Sequence, residues 1–257
     1  VDSAPSLAGQ WFDRLLDGFT QATPVVPSQV TLLAIVAAAV VLAVPKATWR
    51  YFGLFVTVIH ELGHAFAGLF TGQRLTGIRI HSDQSGSTHS LGRGGWRLVW
   101  TGFWGYPAPA LVGAALIWCA LSGWHPAALS VSAVVIAVTL LFIRNWYGVL
   151  VILGCVLASA ALLIYVDRST LGYITLMLGV ALVVGAVRDW LNVAAVHVRR
   201  RRELASSDAY ILYRRTGVAA GVWLAMFGAV IAAAAGFSVW SLKPVLASGQ
   251  LFGNTPG

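Results

Sequence analysis

The chain has 257 residues, of which 58% are hydrophobic and only 10% charged, and its mean hydropathy is +0.78. A soluble domain carries roughly 25% charged residues, so these values argue against a soluble enzyme and for a polytopic membrane protein. The net charge of +8 fits arginines in cytoplasmic loops, and no nucleic-acid partner is expected.

In chain order, residues 1–28 include the stretch SLAGQWFDRLLDGF. Trp11, Phe12, Leu15, Leu16 and Phe19 recur at helical spacing, with Asp13, Arg14 and Asp17 between them. This pattern predicts a short amphipathic helix lying in the membrane interface. A spanning helix needs about 20 mostly apolar residues. Seven stretches qualify as candidates: 29–45, 52–72, 104–122, 127–143, 146–166, 171–197 and 217–240. Residues 29–240 are therefore expected to form one all-α transmembrane domain of about seven helices, followed by a tail over 241–257. Connections such as Arg144–Asn145 and Asp167–Thr170 are short, which makes the helices they join antiparallel neighbours.

Two polar segments interrupt the apolar runs. Residues 73–97 are rich in Gly and Ser and alternate in part at Ile78 and Ile80. They predict a small β-hairpin at the membrane surface, with His81 and His89 as surface side chains. Residues 199–215 begin with four consecutive arginines and predict a cytoplasmic loop. With that loop inside, Arg74, Arg79, Arg93, Arg97, Arg144, Arg214 and Arg215 fall inside as well. The N-terminus is then expected in the cytoplasm and the C-terminus outside. No inverted repeat is present, which removes the best support for a transporter.

The stretch VIHELGHAF sets His60, Glu61 and His64 inside an apolar run. Ionisable groups in a spanning helix cost several kcal/mol unless they pair or bind something. His60 and His64 are four residues apart and share one helix face. Two imidazoles so placed can hold one zinc ion, with Glu61 as general base toward the water that zinc activates. Such a site needs a third protein ligand, and the chain has only nine acidic residues. Asp189, in GAVRDWLNVAAVHV, and Asp208, in ASSDAY, are the candidates. His64 lies about 15 Å before the inner boundary marked by Arg74, and Asp189 about as far before Arg199, at 1.5 Å per residue. Depth thus favours Asp189, with Asp208 as the alternative. Asn192, one turn beyond Asp189, could orient the ligand or the substrate. A salt bridge between Asp189 and Arg188 is the competing role.

HELGH in a membrane helix, a Gly-rich hairpin, and Gly105-Tyr106 opening a helix with Gly113 resemble the site-2 protease family of intramembrane zinc metalloproteases. The closer resemblance is to its M50B-like branch, found in bacteria and plants. It rests on the hairpin stretch GIRIHSDQSGSTHSLG, on Ser207-Asp208-Ala209, and on Thr216, Gly217 and Trp223. It implies zinc on His60 and His64, Glu61 as catalytic base, and Gly105 and Tyr106 as substrate-contacting or site-supporting residues. It also implies a multi-pass protein of a bacterial plasma membrane. The expected substrates are membrane-spanning proteins within the lipid bilayer, and partners in a membrane complex are possible. The leucine-aspartate-glycine segment that supplies the family's third ligand is absent, and Pro107 and Pro109 replace smaller residues. Prolines kink a helix, and freed backbone groups at membrane depth are tolerated where they line a cavity. A non-catalytic, protease-like subunit of a membrane complex is the alternative reading.

Overall fold

The structure is a computed structural model that describes residues 6–199, 204 and 207–247. Arg200–Arg202, Glu203 and the tail beyond residue 247 lie outside the described residues. Among those described, ten α-helices and one two-stranded sheet are formed. They are α1 (Leu7–Asp17), α2 (Gln29–Ala43), α3 (Lys46–Phe70), β1 (Arg74–Ile80), β2 (Gly86–Leu91), α4 (Trp96–Phe103), α5 (Pro107–Leu121), α6 (His125–Thr139), α7 (Trp146–Tyr165), α8 (Arg168–Arg199), α9 (Asp208–Thr216) and α10 (Ala220–Ala247).

The seven expected spans are only partly matched. Four helices, α3, α7, α8 and α10, are long and apolar enough to cross a membrane. The third candidate corresponds to α5, which forms a bent pair at 55° with α4, a helix just before the expected span. That bend sits where Pro107 starts α5, since a proline ring cannot continue the preceding turn. The first and fourth candidates, α2 and α6, have 15 residues each, about 22 Å of helix. That is shorter than the hydrocarbon core of about 30 Å. Pro45 stops α2. Past α6 the chain leaves the helix to pair with the sheet: Phe142 O accepts from Ile78 N at 2.8 Å, and Arg144 N donates to Ile78 O at 2.9 Å.

The interior is divided among several clusters. Trp49, Phe52, Val56 and Ile59 of α3 pack with Leu116 of α5 and with Ala181 and Leu182 of α8. Backbones approach closely where α5 crosses α8, because a side chain on Gly113 or Gly179 would strike the other's carbonyl oxygen. The expected N-terminal helix is present as α1; Leu15 turns into a cluster with Leu129, Leu163 and Leu171, while Phe12 and Leu16 stay exposed.

The polar hairpin is present as the antiparallel pair β1–β2, with Ile78 opposite Thr88 and Ile80 opposite Gly86. Ile78 and Ile80 are fully buried against Val58, Ala65 and Ile152. The outer edge of β1 is closed by residues 142–145. Asn145 completes the closure: Ile80 N donates to its Oδ1 at 3.1 Å, and its Nδ2 donates to Ile80 O at 2.7 Å. Ile78 and Ile80 thus spend their backbone groups away from β2. Their partners Thr88 and Gly86 must then point theirs to β2's other edge, where no further strand pairs among the described residues.

Candidate metal centre

His60, Glu61 and His64 lie in the second half of α3, and a glycine between them lets another element come close. A side chain on Gly63 would overlap the Trp104 carbonyl and the Ala108 methyl, so the α4–α5 bend rests directly on the motif. Gly105, in that bend, faces the imidazoles: a Cβ there would collide with Nε2 of both His60 and His64. A cradle is left at this point which any larger residue would fill.

Asp208 reaches the same point from the first turn of α9. His60 Nε2 and His64 Nε2 are 3.1 Å apart, and Asp208 Oδ2 lies 3.2 Å from the first and 3.3 Å from the second. The three form the one group of potential metal-holding side chains found among the described residues. His64 Nδ1 donates to the Thr101 carbonyl at 2.7 Å, which leaves a lone pair on Nε2 of the neutral ring. Asp208 Oδ2 is buried without a hydrogen-bond partner. Burial alone would raise the Asp208 pKa, but the neighbouring His64 and His60 outweigh it and hold the carboxyl below the usual range. Two neutral imidazoles and a carboxylate at mutual contact need a proton or a metal ion among them. Ligand atoms held tetrahedrally at about 2.0–2.2 Å from zinc lie about 3.3–3.6 Å apart, close to the spacing here. The donor set and its spacing therefore fit a zinc ion.

The preference for Asp189 over Asp208 is not matched by this arrangement. Asp189 lines the same cavity but stands outside the triad. The depth argument treated α8 and the chain after it as straight. Instead, Ala209 and Leu212 of α9 are fully buried against Val193, Trp223, Leu224 and Phe227, so the chain folds back. Gly217, at φ +75°, turns it from α9 into α10. Among the described residues Asp189 forms no ion pair with Arg188, whose guanidinium lies 4.0 Å from the Trp49 ring centre. Asn192 lines the cavity beside Asp189.

Glu61 is 4% exposed and is held from the hairpin. Thr88 Oγ1 lies 2.6 Å from Glu61 Oε2 and 3.1 Å from the Glu61 carbonyl oxygen. The strand also passes so close at Gly86 that a Cβ there would overlap the Glu61 carboxylate. A second path joins β2 to the histidines. Ser90 Oγ donates to Gln73 Oε1 at 2.5 Å, Gln73 Nε2 donates to Thr101 Oγ1 at 2.8 Å, and the Thr101 carbonyl receives His64. Sequence reasoning singled out none of Gln73, Thr88 and Thr101. Their one signal is polar side chains next to apolar runs, and that pattern is common in loops.

These groups share a cavity of about 560 Å³ lined by the triad, Glu61, residues 84–90 of the hairpin, Tyr106, Asp189, Asn192 and one face of α9. His81 and His89 are both exposed in the hairpin, and neither belongs to the triad.

No curated protein and no solved structure matches this chain. A family model described as Peptidase M50B-like matches residues 32–238. That range contains α3, the hairpin, the α4–α5 bend, α8 and α9, the elements that line the cavity. The chain belongs to the M50B-like peptidase family and, with its apolar spanning helices, is a membrane protein of site-2 protease type.

Proposed function

We propose that this protein is a zinc-dependent intramembrane protease that hydrolyses peptide bonds of membrane-spanning substrates. The observation that carries this reading is the convergence of His60 Nε2, His64 Nε2 and Asp208 Oδ2 at 3.1–3.3 Å, beside a buried Glu61 in one cavity. In this reading His60, His64 and Asp208 hold the metal. Zinc bound there would lower the pKa of a water to about 7 and polarise a carbonyl.

The chain's own groups do the rest. Glu61 accepts the proton of the attacking water on its carboxylate and passes it to the leaving nitrogen. A carbon–oxygen bond forms, the carbon–nitrogen bond breaks, and the products are a carboxylate and an amine. Thr88 holds Glu61 Oε2, and Thr101 fixes the ring of His64. Outer hydrogen bonds of this kind set a ligand's tautomer and orientation.

A helical substrate has its backbone amides tied up, so it must unwind before cleavage. The free edge of β2 offers outward N–H and C=O groups at Gly86 and Thr88, and it borders the cavity. An unwound segment adding to that edge as a strand would lie across Glu61.

The test is zinc content of the purified protein. The parent and Asp189→Ala should hold about one zinc per chain, while His64→Ala and Asp208→Ala lose it. Glu61→Gln should keep the zinc and lose cleavage of a membrane-spanning peptide. A folded parent that takes up no zinc when supplied with it ends this reading.

A further inference from the structure

Tyr106 follows Gly105 at the start of α5. Its ring meets the His60 ring edge-on, with centroids 4.8 Å apart and planes at 86°, and stacks on Phe227 at 5.5 Å and 20°. These two contacts hold the ring at the wall of the cavity, beside His60, His64, Asp208 and Glu61. A buried tyrosine hydroxyl nearly always has a partner. Among the described residues this hydroxyl has none, and it is not sealed inside protein. It therefore opens toward the cavity. Asp208, Asp189 and Glu61 are its charged neighbours. A phenol O–H can donate as well as accept, so the group offers a hydrogen-bond donor beside acceptors.

We propose that Tyr106 is a further catalytic residue, donating its O–H to the oxygen of the scissile carbonyl as that oxygen takes on negative charge. The inference rests on the protease reading above. Other donors line the cavity, among them Asn192, Arg215 and the hairpin's hydroxyls; Tyr106 is the donor whose ring meets the ring of a metal-holding histidine. The reaction itself needs a donor: as water's oxygen bonds to the carbonyl carbon, the C–O π pair moves onto oxygen. The charge returns when the C–N bond breaks. A donor aimed at that oxygen binds the charged form more tightly than the neutral carbonyl, so its removal acts on kcat and not on KM. Loss of one such donor typically costs about 10²–10³ in kcat.

Tyr106→Phe tests this, because it keeps the ring and both ring contacts and removes only the hydroxyl. The full chain is assayed in bilayers with a membrane-spanning peptide, next to zinc content, thermal midpoint and affinity for a phosphonamidate peptide, whose anionic tetrahedral oxygen mimics the charged state. The expected result is unchanged zinc, midpoint and KM, a kcat lower by about 10²–10³, and a comparable loss of phosphonamidate affinity. In a Glu61→Gln background, affinity for uncleaved peptide should be the same with Tyr or Phe at this position. A kcat within about twofold of the parent, with phosphonamidate affinity intact, overturns the role while leaving the protease reading in place. Loss of zinc or of the midpoint in Tyr106→Phe also overturns it, since the hydroxyl would then be structural. A zinc-loaded parent that cleaves nothing overturns the protease reading, and this inference with it.

Discussion

Glu61 is the residue whose surroundings explain most about the site. In the proposed reaction a carboxylate that accepts a proton has to be held still without being neutralised, and Thr88 places one hydroxyl 2.6 Å from Glu61 Oε2. A hydrogen bond to a charged group contributes about 1.5–3 kcal/mol. Thr88→Val should therefore lower kcat roughly 10- to 100-fold with zinc content unchanged, and Thr88→Ser should restore most of it; equal rates for all three would remove the role. Gly105 makes a different demand, because its missing side chain leaves space against both imidazoles. Gly105→Ala should abolish zinc uptake while helical circular dichroism stays that of the parent; a variant that binds zinc normally would show that the ion sits elsewhere. His60, Glu61 and His64 were legible because a four-residue interval on a helix fixes a shared face. Thr88 was not, because which residue a strand presents to a helix depends on register, and register follows from a pairing between distant segments.

At the scale of elements, the hairpin is asymmetric. One edge is closed by Asn145 and the backbone of residues 142–145, and the other is open beside Glu61. Strand addition at the open edge has a periodic signature, since a strand points every second amide the same way. N-methylation along a pre-extended peptide substrate should reduce cleavage strongly at alternate positions near the scissile bond, and a profile without that alternation would exclude it. The expected hairpin was legible from its polar composition and from Ile78 and Ile80. The closing segment was not, because residues 140–143 continue the apolar run of α6 and read as helix. Pro107 and Pro109 were expected to kink a helix; both instead sit in the first turn of an unbroken α5, and the 55° bend falls just before them.

For the whole molecule, the arginine distribution and the helix count bear on each other. An N-terminus inside and a C-terminus outside need an odd number of crossings. The four long helices alone are even in number; with the bent α4–α5 pair they make five, and with α2 and α6 seven. Single cysteines placed at Ser6 and Ser248, in a background lacking Cys119 and Cys155, should label from opposite sides of sealed membranes. Labelling from one side would require an even count and a revised assignment of the arginine-bearing loops.

The amino-acid sequence by itself determined the solvent, the class and half of the site. Composition decides for a membrane, and local periodicity places two imidazoles and a carboxylate on one turn of one helix. The triad's third member was decided only by tertiary structure. Asp189 and Asp208 are each compatible with the sequence because depth along a helix is a one-dimensional quantity. Packing of Ala209 and Leu212 against Trp223 and Phe227, with Gly217 turning the chain after α9, brings Asp208 to the histidines and leaves Asp189 at the cavity wall. The arrangement of Thr88, Gln73, Thr101 and Tyr106 is likewise tertiary, since each acts on a residue more than eight positions away in the chain and no local pattern encodes such a meeting.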